Sequence, residues 1–80
     1  MTYDDFIVRV FNALRADAEN GIPVAGYVVH IHPDDGREIQ RTMPGSRWAD
    51  PDAYHVFGVP LVEDMGVDPG KILLRREVAV

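Results

Sequence analysis

The residues best suited to chemistry are His30-Ile31-His32, followed closely by Asp34, Asp35 and Glu38. Side chains alternate along a strand, so the two histidines are expected on one face with Cα atoms about 7 Å apart, a spacing that can hold one metal ion. Glu38, or His55 from a distant segment, could complete the ligand set. Other reaction classes have no visible machinery. Ser46 is the only serine and has no nucleophile elbow around it, and Met43-Pro44-Gly45-Ser46 lacks the glycine and lysine of a phosphate loop. Asp34-Asp35, Asp50 with Asp52, and Glu63-Asp64 fall in expected turns, where carboxylates satisfy backbone donors at least as often as they do acid/base work.

The elements that must position these groups begin with a helix. Thr2 is suited to cap it and Asp5 to sit in its first turn, while Phe6, Ile7, Val10, Phe11, Leu14 and Ala18 recur at helical spacing. Asn20-Gly21 and Pro23 end it, which predicts a helix over residues 3 to 19 whose apolar stripe lies on a sheet. Residues 24 to 32 are β-branched and almost continuously apolar, as suits a central strand. Pro33-Asp34-Asp35-Gly36 reads as a turn, after which Arg37 to Thr42 returns as a polar edge strand. If exposed, that edge could pair two copies of the chain, so monomer and homodimer both stay open. Residues 43 to 53 read as a long loop anchored by Trp48, with a helical turn possible at Asp50-Pro51. Phe57 to Val62 and Lys71 to Leu74 read as two further strands, separated by the acidic loop Glu63 to Asp68 and the Pro69-Gly70 turn. The expected architecture is one α+β domain over residues 1–80, its N-terminal helix packed on a small, mainly antiparallel sheet of about four strands.

Composition narrows the functional classes. Eighty residues support one modest core, too little to enclose a substrate pocket as well. Without cysteine there is neither a disulfide framework nor a thiolate metal site, and a cytoplasmic setting is expected. No apolar run approaches the roughly 20 residues needed to span a bilayer, and the N-terminus carries acids where a signal peptide needs bases. Thirteen acids against eight bases give a net charge of −5, which disfavours direct nucleic-acid binding and favours a basic protein partner. Glu63, Asp64, Asp68, Asp50 and Asp52, with Trp48 as an aromatic anchor, are the expected contact residues.

Four resemblances attach to these residues. His30-x-His32, with Glu38 and Gly45 after it, resembles the first motif of the cupins, which would imply metal ligation by His30, His32 and Glu38 in a double-layered barrel. The second cupin motif has no counterpart, and a full barrel needs more strands than this chain supplies. Amidohydrolases also open with His-x-His at a strand end, but on a much larger barrel. Tyr27 to Asp34, Phe57 to Val62 and Pro69 to Leu74 together look like small proteins of tailed phages and, more loosely, the C-terminal part of tailed-phage major capsid proteins. That resemblance implies phage or prophage origin. A compact, acidic, cysteine-free domain is similar in general character to the anti-CRISPR proteins, which implies a non-catalytic inhibitor that occludes the basic surface of a host defence complex, without a cofactor. A virion accessory protein and a small metal-binding protein are the alternatives.

Overall fold

The computed structural model describes residues 1–43 and 55–76. Helix α1 spans Tyr3–Glu19. The Thr2 side chain accepts the Asp5 amide at 3.2 Å, and Asp4 and Asp5 place negative charge at the amide-rich end of the helix, as expected from the sequence. Gly21 follows at φ +75°, the left-handed conformation that ends the helix. Phe6 and Val10 are fully buried, and Ile7 and Leu14 pack partly against the same core.

Strand β1 (Tyr27–Ile31) follows, and then the expected polar strand is absent. Pro33–Thr42 forms a second helix, α2. Its signals are local. Pro33 sits in the first turn where its missing N–H costs nothing, Asp34 and Asp35 occupy the N-terminal end, and Arg41 lies in the last turn. Gly36, Ile39 and Met43 recur at helical spacing and are all buried. Residues 37 to 42 hold a single apolar side chain, Ile39, and so show no period of their own; the helical spacing is visible only with Gly36 and Met43 included.

The helix in place of a returning strand changes the sheet. A helical crossover delivers the next long strand parallel to β1. Strand β2 (His55–Val56) turns through Phe57-Gly58 into β3 (Val59–Glu63), which lies parallel to β1 with Val29 opposite Leu61 and Ile31 opposite Glu63. Strand β4 (Ile72–Arg76) then pairs antiparallel on the other side of β1, with Ile72 opposite Ile31 and Leu74 opposite Val29. The order β2-β3-β1-β4 makes β1 central, as expected, and the sheet mixed, with two of its three pairings antiparallel. Residues 57 to 62, expected as one strand, are split by the hairpin turn.

The fold is α+β in two layers. Val29, Ile31, Val59 and Leu61 share one sheet face and meet Phe6 and Val10 of α1 and Ile39 and Met43 of α2 in a single cluster. Burying each large apolar side chain of this set stabilises the fold by roughly 1.5–3 kcal/mol. Residues of the opposite parity, His30, Val62 and Leu73, fall on the other face. Among the described residues no helix is long and apolar enough to cross a membrane.

Candidate functional site

The strand that was expected to present both histidines stops at Ile31, so His30 and His32 serve different elements. His30 is nearly buried, and its Nδ1 lies 3.0 Å from Asp64 Oδ2. A carboxylate can only accept, so this nitrogen carries the proton. His32 instead caps α2, its Nδ1 accepting the Asp34 amide at 3.0 Å. The Asp34 carboxylate is 3.7 Å from the same nitrogen, and the shorter amide contact governs its orientation. Glu38, on the second turn of α2, faces the Met1 ammonium at 2.6 Å and Arg41 at 3.8 Å, and that ammonium holds its carboxyl below the usual glutamate range. Among the described residues no three His, Asp or Glu side chains converge as a metal site requires. A histidine held by a carboxylate is also how a general base is oriented. The hydroxyls of Thr2 and Thr42 are committed to helix ends, and Ser46 lies outside the described residues.

The expected contact acids divide in the same way. Asp64 leaves β3 with its amide donating to Ile31 O at 2.7 Å, and its Oδ1 accepts the Gly66 amide at 2.8 Å. The Gly66 amide and the His30 contact, followed by the charges of His30 and Arg75, hold the Asp64 carboxyl below the usual aspartate range. Asp64 is therefore a structural acid that shapes the β3–β4 loop. Glu63 and Asp68 are exposed, Asp68 facing Lys71 across 3.8 Å. Because β1 and β3 run parallel, their carboxyl ends place Glu63 and Asp68 beside the acids of α2. The Glu63 carboxylate reaches to about the position a Cβ would take on Gly36, and Asp35 accepts the Gly70 amide at 2.7 Å. Trp48, Asp50 and Asp52 lie outside the described residues.

Sequence reasoning missed a second feature. Phe57 stands at φ +51° in the β2–β3 turn, with Gly58 at +78°, the paired left-handed geometry of a two-residue hairpin. A bulky residue in that conformation is an outlier, disfavoured by about 1–2 kcal/mol. Its ring is 55 % exposed and tilts against Phe11, itself 47 % exposed, with centroids 5.8 Å apart. Leu14, Ala18 and Val24 complete an apolar groove of about 330 Å³ bordered by Arg15. The Phe-Gly dipeptide between short apolar runs was the available signal, read instead as part of a strand.

Fold and geometry define the class, a small two-layer α+β domain. No family model, curated protein or solved structure matches the chain.

Proposed function

We propose that this domain is a non-catalytic, acidic protein-binding module that works by contact with a basic surface, of phage type, and that its target is a host defence nucleoprotein complex. The observation that carries the contact reading is the gathering of exposed Glu63, Asp68 and Asp34 at one end of the sheet. Carboxylates grouped there attract a cationic surface and speed encounter with it more than they add to final affinity. The phage origin and the nature of the target rest on the sequence resemblances. Asp64 and Asp35 are excluded from the contact set because both carboxylates are spent on backbone amides.

The test is a pull-down of tagged protein from lysate of its bacterial host, with the bound proteins identified and affinity then measured against the purified target. A nucleic-acid-handling complex is expected, bound more weakly as ionic strength rises and lost on Glu63→Lys with Asp68→Lys in a domain that melts normally. Recovery of phage head or tail proteins would point to a virion role. Binding that ignores both salt and the double charge reversal would overturn the acidic contact.

A further inference from the structure

We infer that the open edge of β4, with the groove between it and α1, is a docking site for an acidic, extended segment of a partner protein that adds to the sheet as a fifth strand. This goes beyond the proposed contact of the acidic end, which the basic edge adjoins at the Asp68–Lys71 pair.

Strand β4 pairs with β1 along all five of its residues, and among the described residues no strand lies beyond it. In an antiparallel pair every second residue turns its N–H and C=O away from the partner, so β4 offers a second, outward ladder. Beside that edge runs a groove of about 470 Å³, walled by Arg9 and Ala13 of α1 and by Gly70, Lys71, Ile72 and Leu74. A strand added to β4 sends alternate side chains over this groove, onto the apolar floor of Ala13, Ile72 and Leu74. Its remaining side chains fall on the other face, beside exposed Leu73 and Arg75.

Charge selects the occupant. The chain carries a net −5, yet four of its eight Lys and Arg residues, Arg9, Lys71, Arg75 and Arg76, lie on or against this edge. Arg9 is fixed there by donating to Gly70 O at 2.6 Å, and Arg76 by donating to Pro23 O and stacking 4.7 Å over Tyr27. Asp68 faces Lys71 at 3.8 Å, with both side chains exposed, a pairing that an incoming carboxylate can displace at little cost. A second copy leaves these cations unanswered, because two antiparallel β4 strands in full register set Arg75 and Arg76 opposite Leu73 and Ile72. An acidic strand with apolar residues at alternate positions satisfies both the groove and the charges.

The test uses the full chain and a fluorescein-labelled peptide, Glu-Val-Glu-Val-Glu-Val-Glu, followed by anisotropy. Its controls are the Lys-for-Glu counterpart and a version with Pro at the central Val, which removes a ladder donor. Expected is saturable one-to-one binding of the acidic peptide alone, weakened about tenfold by Arg75→Glu, with amide NMR shifts concentrated at residues 71 to 76. Arg75→Gln provides a milder loss of charge should the reversal impair folding. The inference is overturned by absent binding, by equal binding of the proline peptide, by indifference to the arginine variants, by shifts centred on Phe11 and Phe57, or by sedimentation showing a dimer paired through β4.

Discussion

The buried carboxylate of Asp35 accepts the Gly70 amide at 2.7 Å, tying the first turn of α2 to the turn that leads into β4. The Met1 ammonium lies 3.9 Å from its other oxygen. Removing the acceptor leaves a part-buried amide without its partner, which costs about 1–3 kcal/mol. Asp35→Leu is therefore expected to lower the unfolding free energy measured with urea by that amount, and Asp35→Asn, which keeps an acceptor oxygen, by less. Equal losses in the two variants would show that the charge matters and the Gly70 contact does not.

Asp64 links stability to pH. Its folded-state pKa lies below the unfolded one, so its contribution is complete above the unfolded value and disappears as pH falls through the lower folded value. Compared below about pH 5, where imidazoles of the unfolded chain are already protonated, the stability gap between the natural chain and Asp64→Asn is expected to narrow on acidification through the aspartate range. Urea titrations at several pH values measure it. A gap that widens toward acid contradicts the assignment of Asp64 as the stabilising carboxylate.

The Phe57 backbone sets two effects against each other. Phe57→Gly loses an aromatic contact of about 0.5–1.5 kcal/mol but relieves a left-handed conformation of similar cost, so the net change is expected within about 1 kcal/mol. Phe11→Ala loses the same contact with no backbone relief and is expected to be the more destabilising of the two by thermal melting. The reverse order would mean that Phe57 contributes more through its side chain than its exposure indicates.

Much of this architecture was legible in the sequence, and the misreadings have physical causes. The cap at Thr2, the stripe Phe6-Val10-Leu14 and the stop at Gly21 agree with one another, so α1 was readable to its ends. For α2 the cap is a histidine, outside the usual capping residues, and Gly36 in its second turn imitates a hairpin glycine. Losing that helix also lost the crossover, the parallel pairing of β1 with β3, and the separation of His30 from His32. Nor could spacing alone separate Asp64 from Glu63 beside it, because the His30 half of its bonding reaches across 34 residues. The basic edge was invisible for the same reason, since Arg9 joins it only through the packing of α1 beside Gly70 and β4.

Gly36 offers a way to strengthen the helix that was hardest to read. A Cβ there would come within 2.9 Å of Glu63 Oε1, the mobile end of an exposed side chain. Replacing a helical glycine with alanine is worth up to about 1 kcal/mol. Gly36→Ala is expected to realise part of that gain alone and nearly all of it together with Glu63→Ala, as chemical unfolding of the three variants would show. A loss in both backgrounds would mean that the backbone around Gly36, and not Glu63, limits the space.

Having β1 at the centre of the sheet dictates the order in which this chain can acquire structure on the ribosome. When residue 43 has been added, the segments of both helices and of β1 are in the chain, but neither neighbour of β1 has been synthesised. Val29 and Ile31 must wait for Val59–Glu63 and then for Ile72–Arg76. The nascent chain thus carries an unpaired apolar strand through about half of its synthesis, and a premature stop before β4 would release a product with a sticky edge, a natural substrate for chaperones and proteases.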